Sequence, residues 1–270
     1  MASKAKSQNG ILETIKTVFW ALLIAGVFRT VFFQPFWIPS GSMKDTLLVG
    51  DFLFVNKMAY GYSQYSCPLG LCGFLGEGRI LASAPQRGDV VVFRHPVTGE
   101  DFIKRLIGLP GDTVQMRDGQ LVINGKPVPQ QPAGTFHEVY EKQGPMGYYP
   151  RCENGPVGEG GDCTSSRFLE TLPDNADTGA GVTHSVLNID TNGFGDNSDV
   201  FTVPDNNYFF MGDNRDNSMD SRFAQAAGGV GFVPAKYLVG RADRVIFSSA
   251  GRSMLYFWTW RPDRFLKAVE

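Results

Sequence analysis

The stretch Phe36-Trp37-Ile38-Pro39-Ser40-Gly41-Ser42-Met43 presents a serine in a Gly-Ser step, just after a Pro-Ser pair and with apolar residues on both sides. Gly41 lets the backbone bend and a second chain come close. Pro39 fixes the approach of the chain. Ser42 is therefore a candidate nucleophile, and a nucleophilic serine needs a base. Taken alone, a Gly-Ser step is more often a turn, and it lacks the Gly-x-Ser-x-Gly pattern of a hydrolase elbow. The histidines are few: His95 precedes Pro96 in a turn, and His137 and His184 lie in a loop-rich stretch. A lysine is the other option, because Ser-Lys pairs follow the same logic as a triad. Such a lysine must be neutral, which an apolar pocket achieves by disfavouring the ammonium form.

Asp101-Phe-Ile-Lys-Arg-Leu-Ile107 reads as a strand. On it Phe102, Lys104 and Leu106 share one face, and Ile103, Arg105 and Ile107 the other. Lys104, flanked by Phe and Leu, is the candidate base, although periodicity alone does not choose it over Arg105. A third segment, Gly212-Asp-Asn-Arg-Asp-Asn-Ser-Met-Asp-Ser-Arg222, is dense in turn formers. An ordinary Asx-rich loop and a calcium site compete for it. The spacing does not match an EF-hand, and Arg215 and Arg222 oppose a cation, so no metal or other cofactor is expected. What remains is a loop of paired charges and hydroxyls suited to orienting a catalytic side chain.

These residues need elements to position them. From Thr17 to Phe28 no residue is charged, and after Arg29 the uncharged stretch continues to Met43. A helix over about 17–35 rises roughly 30 Å, about one bilayer core. Pro35 must end or bend it. Arg29 is expensive at mid-membrane, a difficulty removed if the span begins nearer Ile11 and Arg29 snorkels outward. Lys4, Lys6 and Lys16 precede the span against one acid, Glu13. The positive-inside bias then puts residues 1–16 in the cytoplasm and everything after Pro35 outside. Bulky Phe28, Phe32 and Phe33 stand where a cleaved signal would carry small residues, so an uncleaved anchor is expected.

Beyond the anchor, 32 glycines, 21 Phe, 9 Tyr, 4 Trp and only 19% charged residues favour a turn-rich β protein. The net charge of -2, with scattered basic residues, speaks against a nucleic-acid partner. Strand signals fall at 51–55, 90–93 and 101–107, followed by a Leu109-Pro-Gly-Asp112 turn. Leu121-Val-Ile123, Asn124-Gly125, Lys126-Pro-Val128 reads as a hairpin. From about 130 to 205 apolar periodicity weakens, and it returns at 208–211, 237–239 and 245–247. The expected organisation is a mainly β catalytic core from 36–128 plus 206–250, an inserted β-rich lobe at 129–205, and a C-terminal segment 251–270. Core packing is expected for the Phe257-Trp-Thr-Trp-Arg261 cluster, with a dip into the lipid interface as the alternative. Cys67/Cys72 and Cys152/Cys163 form two local pairs, read either as small-loop disulfides of an oxidising compartment or as four free thiols.

Together these segments resemble the bacterial type I signal peptidases. The likeness rests on Pro39-Ser-Gly-Ser-Met43, Thr46-Leu-Leu-Val-Gly-Asp51, Arg87-Gly-Asp-Val-Val91, Phe102-Ile-Lys-Arg-Leu-Ile-Gly-Leu-Pro-Gly-Asp112, and the 212–222 loop with Gly231-Phe-Val-Pro234 behind it. Each block is weak, but their order makes them specific. The resemblance implies Ser42 as nucleophile and Lys104 as general base. It implies Ser40, with the Ser42 N–H, as oxyanion donor, Ser218 as the residue orienting the lysine, and Asp220 with Arg222 as a supporting ion pair. Phe36, Ile38, Met43, Leu47, Phe102 and Ile103 would wall the substrate pockets. The implied reaction is removal of signal peptides from exported preproteins after a small-x-small motif. The implied place is the inner (cytoplasmic) membrane, with the catalytic domain on its outer side and signal peptides and membrane lipid as partners. Oligomeric state is left open.

The chain departs from the family pattern at Asp45, where a proline is common, and in a longer Ala/Gly-rich stretch over 223–230, read as a flexible loop. It also shows one span where many relatives have two. Two other readings stand beside this one: a narrow-specificity peptidase for pilin or transfer-system proteins, and a non-catalytic tethered β domain that binds exported chains. A Ser42–Lys104 separation beyond about 6 Å would favour the last of these.

Overall fold

The structure is a computed structural model that describes residues 2–67, 72–144, 146–176, 179–251 and 254–269. Helix α1 (Ala2–Val31) opens the chain. Its stretch Gly10–Val31, 22 residues, is long and apolar enough to cross a membrane, and none of it is buried against the rest of the chain. At 1.5 Å per residue that is roughly 33 Å. Arg29 falls in the last turn, where a long side chain reaches the interface.

The helix stops ahead of Pro35, so residues 33–35 of the expected 17–35 span are strand instead. Strand β1 (Phe33–Trp37) pairs with β2 (Asp51–Asn56), Pro35 opposite Phe54. β1 is the edge of its sheet, where a residue without an N–H is tolerated in a ladder.

The short strands β3 (Tyr62–Ser63) and β4 (Arg79–Ile80) form a separate ribbon. Next come β5 (Val90–Arg94), β6 (Asp101–Gly108), β7 (Thr113–Arg117), β8 (Gln120–Ile123) and β9 (Lys126–Pro127). Three long strands follow, β10 (Gln130–Val139), β11 (Asp162–Pro173) and β12 (Ala180–Asn188). The chain finishes with β13 (Phe201–Thr202), β14 (Asn207–Met211), β15 (Val233–Pro234) and β16 (Leu238–Ser248).

The main sheet has seven strands in the order β1-β2-β16-β5-β6-β14-β15 and is antiparallel throughout. Two distant parts of the chain therefore build it. The apolar runs expected as separate strands at 237–239 and 245–247 are one strand, β16. It pairs with β5 over its first half and β2 over its second, with register shifts at 242/244 and 245/247. Such bulges let one long strand bend around the sheet.

The 121–128 hairpin forms as expected, with Asn124 and Gly125 at positive φ (51° and 74°) as a two-residue turn requires. Its sheet runs β13-β7-β8-β9, so residues 113–127 lie outside the seven-stranded sheet. β10, β11 and β12 form a third sheet. The strands of the main sheet enclose two apolar clusters: one gathers Ile38, Met43, Leu47, Leu53 and Val90, the other Phe93, Leu106 and Phe210.

Both cysteine pairs are disulfides, Cys67–Cys72 and Cys152–Cys163. The C-terminal aromatics do not enter the core. Phe257 and Trp258 are 67% and 69% exposed, while Trp260 and Phe265, also exposed in part, meet Phe247 at 4.9 and 5.3 Å between ring centroids.

Candidate active site

Ser42 sits in the loop between β1 and β2. The loop is closed at its base, where Ile38 N–H donates to Asp51 O and Gly50 N–H to Ile38 O. The buried side chains of Ile38, Met43 and Leu47 pin it into the core. With its apolar residues facing inward, the loop holds Ser42 against β6.

Lys104 lies on β6 opposite Val91 of β5. Its Nζ is 2.5 Å from Ser42 Oγ and 3.1 Å from Ile103 O. Both side chains are buried. Burial lowers the Lys104 pKa from 10.5 to about 8, working against the Asp220 and Asp213 carboxylates, which raise it. The nearby Arg222 guanidinium adds to the lowering. The amine is thus available as a free base near neutral pH, within reach of the hydroxyl whose proton it would take.

The 212–222 loop packs against this pair from the side of β14. Asn214 N–H donates to Ser42 O at 3.1 Å and Asn214 Nδ2 to Gly41 O at 3.0 Å. The loop therefore holds the serine turn by its backbone. Gly212 allows the close approach: a Cβ there would stand 2.3 Å from Ser218 Oγ and 2.5 Å from Ser42 O.

Asp220 and Arg222 form a buried ion pair, Nε to Oδ1 2.9 Å. Burial pushes the Asp220 carboxyl up, but Arg222 and the Gly212 N–H outweigh it and hold the carboxyl below its ordinary value. The Ser218 hydroxyl is the least of the groups holding it down. Ser218 Oγ is buried, and it meets no partner in full hydrogen-bond geometry.

A family profile described as signal peptidase, peptidase S26, matches residues 11–247. The chain belongs to this family. Signal peptidase I of Rickettsia typhi (strain ATCC VR-144 / Wilmington) is 36% identical over 247 residues, covering 90% of this chain and 83% of that protein. Signal peptidase I of Rickettsia prowazekii (strain Madrid E) is 36% identical over 242 residues, covering 88% and 82%. A crystal structure of a signal peptidase I from Enterococcus faecalis V583 aligns at 28% identity with a TM-score of 0.30, covering 59% of this chain and 97% of that one.

In this S26 chain the six expected pocket residues divide by position. Ile38, Met43 and Leu47 are buried in one cluster, with Phe36 and Ile103 packed on it. Phe102 packs on the other cluster, its ring centroid 5.6 Å from Lys104 Nζ. Ser40 is exposed, and it lines an open cleft together with Ser42.

The histidines are engaged elsewhere. His95 Nε2 contacts Gly229 O, His137 pairs with Asp162 on the surface, and His184 is buried near Glu170 and Asp213. Burial, helped by Arg105 and Arg215, drives the His184 pKa well down, so its ring is neutral. Replacing His95 and His137 together is expected to leave the rate of a lysine-based enzyme within about threefold, read as kcat/KM; a loss beyond about 100-fold would restore a histidine base.

Several residues shape this site in roles that the sequence does not assign them. Arg105, the neighbour of Lys104, is buried and forks onto Asp213 with Nε–Oδ1 and Nη2–Oδ2 both 2.8 Å. Thr46 Oγ1 donates to the same carboxylate at 2.6 Å. Lys44, next to Met43, is buried and gives its ammonium to Glu138 of β10 and to Gln143 beyond it. Asp45 accepts from Ser185 of β12 at 3.0 Å. Asn214 looks in sequence like any Asx turn residue; only the tertiary fold aims it at Ser42.

Proposed function

We propose that the chain is a membrane-anchored serine endopeptidase that removes signal peptides from exported preproteins after a small-x-small motif, using Ser42 and Lys104 as its dyad. The observation that carries this reading is the 2.5 Å approach of a buried lysine, its pKa brought to about 8, to a serine hydroxyl. A tethered binding domain has no need for such a pair.

Neutral Lys104 takes the Ser42 proton as Oγ bonds to the scissile carbonyl carbon. The Ser42 N–H and the Ser40 hydroxyl receive the oxyanion, each donor contributing about 10²–10³ in rate. The C–N bond breaks as Lys104 returns its proton to the leaving amine. Lys104 then takes a proton from water as the water oxygen bonds to the acyl carbon, the ester bond to Ser42 Oγ breaks, and the proton returns from Lys104 to Ser42 Oγ. Asp220 and Arg222 act on the lysine through their charges, and Ser218, whose buried hydroxyl has no full hydrogen bond, would turn to orient it during the reaction. The partly buried Phe36, Phe102 and Ile103 wall shallow apolar pockets for small side chains, with the buried Ile38, Met43 and Leu47 behind them.

The anchor places this chemistry at the outer face of the cytoplasmic membrane, where a signal peptide's cut site emerges. The exposed Phe257 and Trp258 suit the lipid interface. The two disulfides suit an oxidising compartment.

The test is cleavage of a preprotein with an Ala-x-Ala site by the full chain in detergent. Since the base is active only when deprotonated, kcat/KM should rise with pH through about 8. An optimum below about pH 6 would rule out a lysine base.

A further inference from the structure

The mechanism accounts for the half of the substrate upstream of the cut and leaves the other half without a place. The leaving amine forms at Ser42, within reach of Lys104, and the residues that follow it need a way out. A cleft of about 300 Å³ opens from this point. It shares Ser40, Gly41 and Ser42 with the site, while neither Lys104 nor any of the six apolar pocket residues lines it.

Its far wall belongs to the inserted segment: Gln143, Tyr148 and Tyr149, with Asn217 of the 212–222 loop beside them. This wall is fixed in place. Lys44, whose stem runs beneath Gly41, donates to Glu138 Oε1 and Oε2 at 2.8 and 2.6 Å and to Gln143 Oε1 at 2.9 Å. Gln143 N–H donates to Tyr148 O at 3.0 Å. Tyr149 stacks on Tyr140 with centroids 4.8 Å apart. The Tyr148 ring remains 66% exposed. Because the Lys44 charge is answered by Glu138, the side chains lining the cleft present amides, hydroxyls and aromatic faces suited to an extended peptide, with Lys142 Nζ 5.8 Å from the Tyr149 ring and the Glu159 carboxylate beside that tyrosine.

We propose that this cleft binds the first residues of the mature chain, immediately downstream of the cut, and that Tyr148 and Tyr149 set the preference there. The proposal rests on the endopeptidase reading above and adds a second specificity site built by the inserted segment. An aromatic wall of this kind contributes about tenfold in discrimination.

The experiment uses the full chain in detergent and two peptides with the same Ala-x-Ala upstream half. One continues for several residues past the cut; the other ends there in an aryl amide. The wild type should prefer the longer peptide in kcat/KM, and Tyr148→Ala or Tyr149→Ala should each lower that preference about tenfold. Thermal unfolding of each variant at the wild-type temperature shows that the fold is kept. A long-to-short ratio that stays within about twofold, or a parallel loss on both peptides, overturns the proposal. A wild type that cleaves neither peptide overturns the endopeptidase reading itself, and the cleft's role falls with it.

Discussion

Ser42→Ala and Lys104→Met should each lower kcat on a preprotein by at least about 10⁴-fold, because members of one nucleophile–base unit fail together. The double variant should be scarcely worse than either single one. A Lys104→Met enzyme retaining more than about a tenth of the rate would show that another group takes the Ser42 proton. The same substitution carries an opposite expectation for stability. Lys104 is buried and its pKa lies at about 8 instead of 10.5. Between those values the unfolded chain binds more protons than the folded one, so the wild type gains stability as pH climbs from about 8 to 10.5. Below about pH 8 the folded chain carries the full cost of a buried ammonium. Lys104→Met removes that cost and should stabilise the chain by on the order of 1–3 kcal/mol near pH 7, with the gain shrinking across the window. Urea unfolding at pH 7 and pH 10 reads both the size and the trend. A destabilised variant at pH 7 would mean that the Asp213 and Asp220 carboxylates more than compensate for burial.

The interior strands of the main sheet are legible because β-branched and aromatic runs bounded by turns leave a local signature, as at Val90–Arg94 and Asn207–Met211, while the edge strands β1 and β15 are not. The Asn124-Gly125 turn was legible for the same reason. What local pattern could not supply was which face of β6 meets what. Lys104 and Arg105 are adjacent on β6 and both are buried, the one against Ser42 and the other against Asp213. Alternation therefore marks neither side as solvent. The union of 238 to 248 into one strand is likewise a product of pairing with two partners at once, and the intervening Arg241, Asp243 and Arg244 disguise it in sequence. Resemblance to a family links Ser42 to Lys104, a pairing that local pattern alone does not make. It does not point to Lys44, Glu138 or Tyr148, since those depend on how β10 and the residues after it meet the serine loop.

Asp213→Ala is the substitution expected to cost most in stability. Arg105 and Asp213 make a forked pair with both side chains buried. Breaking a buried pair by removing one partner leaves a poorly compensated charge and costs about 3–5 kcal/mol. Arg105 keeps its bond to Gly88 O and its contact with Thr46, which places the expectation toward the lower end of that range. Combining Asp213→Leu with Arg105→Met removes both charges and should recover most of the loss. Recovery by the double change, with little by Asp213→Leu alone, separates the uncompensated charge from lost packing.

The effect should reach catalysis through two routes that can be told apart. Asp213 precedes Asn214, whose amide groups hold the Ser42 and Gly41 carbonyls, so a loosened loop lowers kcat at every pH. Asp213 also raises the Lys104 pKa through its charge. Without that carboxylate the amine is easier to deprotonate, and the rising limb of kcat/KM should move to lower pH than about 8. A limb that moves upward would mean that the loop had opened and let water resolvate the ammonium, and that Asp213 acts on Lys104 by keeping the site closed more than by its charge.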